Sequence, residues 1–220
     1  MGRFPQEKAT RGSQRWIQYF VNEDPGTLNQ AIGLGPIDWR SPLKEDKYAE
    51  YRDSEFLARL GVKPTKLPLK SFWPDRGPQW DALGRAHSGE VVLVEAKAHI
   101  GEIFSSCDAS PKPLQLIQKS LNETAKALGA RKGAVDWSQI FYQYANRLAH
   151  ARFLSALNAI PTCLVFLYFI GDPDMKGPET KREWQAASAV LHGVLGLRGP
   201  LPDYVKDVFL EVPNATPAPR

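Results

Sequence analysis

Two carboxylates and an amine stand where a short hairpin would bring them together. Asp81 lies in Gln79-Trp80-Asp81-Ala82-Leu83, and Glu95 and Lys97 close the run Val91-Val92-Leu93-Val94-Glu95-Ala96-Lys97. Val91 to Val94 are β-branched or leucine and follow the turn residues Ser88-Gly89, the pattern of a buried strand. Gln79 to Leu83 reads as its partner, because Trp80 and Ala82 alternate with Gln79 and Asp81. With Arg85 to Glu90 as the loop, antiparallel register sets Asp81 opposite Val94 or Glu95. Glu95 and Lys97, two apart on a strand, share one face, and Ala96 points away, leaving its backbone carbonyl available as an oxygen ligand. A hard cation such as Mg²⁺ takes oxygen from one or two carboxylates and keeps several waters, and Mn²⁺ accepts the same donors. A lysine beside such a cluster holds an attacking water or stabilises charge on a transferring phosphoryl group. Phosphodiester hydrolysis uses this set of parts.

The strand Val91 to Lys97 with the upstream Asp81 resembles the motif of the PD-(D/E)-x-K nuclease superfamily, the restriction-endonuclease-like fold, over residues 73 to 99. The resemblance implies an α/β sandwich, whose core runs helix, three antiparallel strands, helix and a further strand. Its central mixed sheet, with the site on an antiparallel hairpin, is flanked by helices. The resemblance further implies Mg²⁺ or Mn²⁺ at Asp81, Glu95 and the Ala96 carbonyl, Lys97 beside the nucleophilic water, and nucleic acid, DNA foremost, as partner. A catalytically silent nucleic-acid- or protein-binding module on the same fold is the alternative. Asp75 competes with Asp81 as ligand, but register sets it opposite residues near Ile100, and Trp73-Pro74-Asp75-Arg76-Gly77-Pro78 has the composition of a turn.

The elements that would position these groups follow from periodicity. Leu43 to Leu60 reads as a helix, with Ser41-Pro42 before it, Glu45 and Asp46 in its first turn and Gly61 after it. Leu43, Ala49, Phe56, Leu57 and Leu60 share one of its faces, and Glu50 falls among them. An acid on an apolar stripe needs a partner or a cation. Glu50 is thus a helix-borne ligand or water-orienting carboxylate, or else pairs with an arginine; Asp46 and Asp53 are the other acids of that stripe.

A second helix runs from Leu114 to Leu128, where Lys112, Lys119 and Lys126 recur every seven residues. This stripe, Lys119 at its centre, either tracks phosphates or is the wet side of the helix. A longer helix spans Trp137 to Leu157, with Gln143 and Arg147 beside its apolar face as phosphate or water positioners or as packing groups. His99 shares the Lys97 strand face and approaches the metal or a phosphate, or ends the strand in solvent. Thr162 to Ile170 reads as a strand buried on both faces, Glu179 to Leu195 as a helix with Trp184 and Val190 inward, and Asp207 to Val212 as a final strand.

Residues 1–40 read as an N-terminal helical extension, with short helices at Ser13 to Val21 and Leu28 to Ile32, and 213–220 as a Pro-rich tail; all 220 residues form a single domain. The aromatics of the extension pack on the main domain or face DNA or the second copy of a homodimer. A chain 43% hydrophobic can bury a sizeable core, and a net charge of +4 suits a polyanionic partner. Cys107 and Cys163 are too few for a disulfide framework or a cysteine zinc site, which points to a reducing, cytoplasmic setting. No apolar segment has the length of a membrane span. No Gly-x-x-x-x-Gly-Lys-Ser/Thr loop, Gly-x-Ser-x-Gly elbow or His-Glu-x-x-His pair is present.

Overall fold

The strand hairpin that carries Asp81 and Glu95 is the middle of a larger sheet. The computed structural model describes residues 2–213. The chain opens with β1 (Arg3–Phe4), α1 (Gly12–Asn22), α2 (Pro25–Ile32) and β2 (Ile37–Ser41). Then come β3 (Glu50–Tyr51), α3 (Asp53–Leu60), the single turn α4 (Leu69–Phe72), β4 (Ala82–Ala86) and β5 (Val91–Lys97). The order finishes with α5 (Pro111–Ala127), α6 (Tyr142–Arg152), β6 (Thr162–Ile170), α7 (Lys181–Leu195) and β7 (Val205–Glu211). Five strands form one mixed sheet in the order β2-β4-β5-β6-β7. β2, β4 and β5 are antiparallel, while β5, β6 and β7 run parallel. The protein is therefore an α/β fold with a mixed central sheet flanked by helices, α1 and α2 on one face, α3, α5, α6 and α7 on the other. No described helix is long and apolar enough to cross a membrane.

β6 lies between β5 and β7 with all nine residues buried, as its unbroken apolar sequence requires. Hydrophobic burial of this kind contributes roughly 1.5–3 kcal/mol for each large side chain. The hairpin turns through Gly89, whose φ of 112° an L side chain rarely adopts. The Ala86 amide donates to Glu90 at 2.9 Å, and the pairs Arg85↔Val91 to Ala82↔Val94 fix the register. Gly84 lets β2 approach: a Cβ there would lie 2.6 Å from Ile37 Cγ2.

Several sequence expectations need correction. The helix predicted over Leu43 to Leu60 exists only from Asp53 onward, so Glu50 is strand-borne rather than helix-borne. A single 3₁₀ turn at Lys44–Asp46 ends in left-handed Lys47 and Tyr48. The chain then runs extended because it pairs with β1: Arg3↔Tyr51 and Phe4↔Glu50. In the N-terminal extension the two short helices stand as expected and their apolar residues pack on the sheet, but the segment also holds an unexpected strand. Its β2 is the edge of the central sheet, and α1 and α2 are the whole helical cover of one face.

β4 starts at Ala82 rather than Gln79. The helix expected from Trp137 begins at Tyr142, after left-handed Phe141, and passes into a π turn at Phe153–Leu157. Val190, expected inward on α7, is 63% exposed, while Trp184 is fully buried. Of the Pro-rich tail, residues 214–220 lie outside the described residues.

Candidate functional site

Asp81 sits one residue before β4, next to the pair Ala82↔Val94, which sets it beside Glu95 on the adjacent strand. Its Oδ2 accepts a hydrogen bond from the Ala96 amide at 2.7 Å, so a side chain takes over where the backbone ladder stops. Since a strand residue's N–H and C=O point to the same edge, the Ala96 carbonyl also faces beyond the end of β4. Glu95 is 2% exposed and held by two cations. Lys97 Nζ donates to its Oε1 at 2.5 Å, and Arg147 Nε to its Oε2 at 2.6 Å.

α6 supplies the supports. Gln143 Oε1 accepts from Lys97 Nζ at 2.9 Å, and Ser105 Oγ holds the Gln143 amide at 2.9 Å. Arg147 also donates to the Gln79 carbonyl and to Asn146 Oδ1, both at 2.7 Å, with its guanidinium 4.9 Å from the Trp80 ring centroid. Glu50 arrives from β3 and is ringed by neutral donors: Gln79 at 2.5 Å, Gln6 at 3.3 Å and Gln14 at 3.4 Å. Asp81, Glu95, Ala96, Lys97, Glu50, Gln79, Gln143 and Arg147 open onto one cleft of about 480 Å³, which Arg76, Ser105, Asp108 and Tyr142 also line.

The electrostatics separate the three acids. Burial would raise Glu95, but Arg147 and Lys97 outweigh it and hold the carboxyl below its ordinary range. Asp81 keeps some exposure toward the cleft, yet protein atoms crowd its carboxyl group. That desolvation, with Glu95 and Glu50 nearby, pushes it well above the usual carboxylate range. Glu50 is also raised, by burial that its three glutamines only partly offset and by Glu95. Burial lowers Lys97, but Glu95 and Asp81 more than compensate and leave it raised and charged. Four carboxylates, Glu50, Asp81, Glu95 and Asp108, thus line the cleft with three cations, Lys97, Arg147 and Arg76, of which the first two are committed to Glu95.

The structure brings together Asp81, Glu95, Ala96, Lys97, Glu50, Gln143 and Arg147. Arg147 is buried against Glu95 rather than free to bind a phosphate. Its signal was in the sequence: an arginine among Tyr144, Leu148 and Ala151 needs a buried acid. His99 and Lys119 are not part of the cleft. His99 pairs with Glu102 at 3.3 Å, and Lys119 is exposed on the outer side of α5.

Among the other acids weighed, Asp75 is exposed in a turn, Asp46 bonds Arg3 and Tyr51, and Asp53 accepts from the Gly77 amide at 2.8 Å. Gln6, Gln14 and Gln79 carry no sequence signal of their kind, because only tertiary pairing places them round Glu50.

Among the described residues no group of three or more His, Cys, Asp or Glu side chains is placed to hold a metal ion, so Glu50 does not join Asp81 and Glu95 as a third carboxylate ligand. The oxygen donors available to a hard cation are Asp81, Glu95 and the Ala96 carbonyl, a set that suits an ion retaining part of its water. No protein-family model, curated protein or solved structure compared with this chain matches it.

Proposed function

We propose that this chain is a metal-dependent nuclease with a restriction-endonuclease-like core that hydrolyses phosphodiester bonds, DNA foremost. The observation that carries the reading is the convergence of Asp81, Glu95 and Lys97 on one sheet face at the floor of a cleft. The order of β2, β4 and β5 antiparallel, then helices, then parallel β6, supports it as well. The excess of carboxylates over cations is what a divalent ion would neutralise.

Asp81, Glu95 and the Ala96 carbonyl would hold Mg²⁺ or Mn²⁺, which when bound supplies Lewis acidity to a phosphoryl oxygen and to water. The protein's own groups do the rest. Arg147 keeps Glu95 ionised and fixed in orientation. Lys97, aimed by Gln143, offers N–H donors to the attacking water or to a phosphoryl oxygen as charge develops. Glu50, held by uncharged amides, keeps its carboxylate to orient that water or take its proton.

The test is incubation of the purified chain with plasmid, linear duplex, single-stranded DNA and RNA, with and without Mn²⁺. Metal-dependent strand breaks that disappear in Asp81→Asn and Lys97→Ala are expected. Cutting by the double variant at the wild-type rate would overturn the reading. Binding of nucleic acid without cutting, and without stabilisation by Mg²⁺ or Mn²⁺, would instead indicate the silent binding module.

A further inference from the structure

Three cations line the cleft: Lys97, Arg147 and Arg76. Lys97 and Arg147 are both bound to Glu95, and Arg76 takes part in none of the ion pairs of the described residues. It is exposed on the loop Trp73 to Pro78. It also borders two neighbouring clefts: one of about 670 Å³ with Asp75, Asp108 and Tyr142, and one of about 620 Å³ with Arg52, Asp53, Glu55 and Lys70. Arg76 therefore lines all three clefts.

The backbone at this point is unusual. Arg76 has φ 68°, a left-handed conformation that non-glycine residues seldom adopt and that clusters at ligand clamps. It is sustained from both sides of the loop. The Gly77 amide donates to Asp53 Oδ1 at 2.8 Å. Gly77 packs against Asp53, Trp73 and His150: a Cβ there would be 3.3 Å from Asp53 Oδ1 and in ordinary contact with Trp73 Cδ1 and His150 Nε2. The loop is anchored through Gly77, and neither of its two charged side chains, Asp75 and Arg76, enters an ion pair of the described residues.

We propose that Arg76 is a substrate-contacting residue, whose guanidinium takes the anionic oxygens of a nucleic-acid phosphate at the mouth of the cleft. The acid excess below would repel an incoming phosphodiester, and Arg76 is the lining cation free to offset that repulsion. A guanidinium suits the role because its planar fork donates two parallel hydrogen bonds to one phosphate. The inference rests on the nuclease reading of the same cleft.

The test compares Lys97→Ala with Lys97→Ala/Arg76→Ala in Mg²⁺, reading the affinity for a fluorescein-labelled oligonucleotide by anisotropy across a salt series. Loss of Arg76 should weaken binding about tenfold and reduce the slope of log affinity against log salt by about one. Arg76→Lys should recover part of the affinity. Arg76→Gly relieves the left-handed strain, so its thermal midpoint should match or exceed that of the parent while its affinity falls like that of Arg76→Ala. Unchanged affinity and salt slope in Arg76→Ala overturn the proposal, and if the wild type cuts with Mn²⁺ at that point the nuclease reading stands. A wild type that binds through Arg76 but cuts no nucleic acid removes the hydrolytic reading and keeps the contact. A chain that neither cuts nor binds any nucleic acid removes both.

Discussion

Val94 and Glu95 are neighbours in sequence and belong to opposite worlds. Val94 joins Val92, Ala96, Val165, Leu167 and Phe169 on the face covered by α1 and α2, an almost wholly apolar layer in which Phe20 stacks on Phe169. Glu95 lies on the other face, where Leu93, Leu164 and Phe166 give way toward the strand ends to Lys97, Arg147 and His150. Strand alternation lets one backbone serve both, since moving one residue along β5 crosses from packing to chemistry. The apolar face holds the strand rigid, and the other face carries charge that such rigidity keeps in register.

The sharpest way to break this division is to alter one face and look for an effect in the property assigned to the other. Asp81→Asn or Lys97→Ala should reduce metal-dependent cleavage by roughly 10²–10⁴-fold. Their denaturant midpoints should stay near the wild type's. Phe169→Ala, on the apolar face, should cost about 3–5 kcal/mol of unfolding free energy. The surviving folded protein should keep its metal dependence, and a loss of activity exceeding the loss of folded protein would show that the faces are coupled.

Arg147→Ala probes the same question from the charged side, because it strips buried Glu95 of the more deeply buried of its two cations and leaves Lys97 alone, and it should cost about 3–5 kcal/mol. Replacing Glu95 and Arg147 together with apolar residues of similar size should recover most of that stability and none of the activity. Double-variant denaturation curves check the additivity.

His150 gives a pH-dependent readout. It is buried among Trp73, Phe72, Phe56 and Trp80, and burial pushes its pKa from the usual 6.5 down to about 3. The folded chain therefore keeps it neutral while the unfolded chain takes up a proton. Its contribution to stability is intact above pH 6.5 and falls as pH drops from there toward 3, by about 1.4 kcal/mol per unit. His150→Leu should lack this slope, which urea midpoints at pH 7 and pH 5 would measure. At the small end, Val190→Ser, on the solvent side of α7, should change stability by no more than about 0.5 kcal/mol.

What the sequence made legible was local. The hairpin and the meeting of Asp81 with Glu95 follow from alternation, turn residues and register within one short stretch, β6 from its unbroken apolar run and α5 from its seven-residue recurrence. Glu50 was recognisable as an acid among apolar residues, but its strand was not. The partner of β3 is β1, far upstream, and an eight-residue helix begins just beyond. Helical periodicity across Leu43 to Leu60 was thus a composite of a 3₁₀ turn, a strand and a helix. That Arg147 needs a buried acid was legible, but which acid was not, because Glu95 lies on a strand rather than on the arginine's own helix.

The contact between the Asp81 carboxylate and the Ala96 amide has a spectroscopic consequence. Any ligand that draws the aspartate toward itself must weaken or release that N–H. The Ala96 proton would then shift in an amide NMR spectrum and exchange faster with deuterium, while amides deeper along β5 stayed protected. One backbone resonance would register occupancy of the cleft before any product is formed.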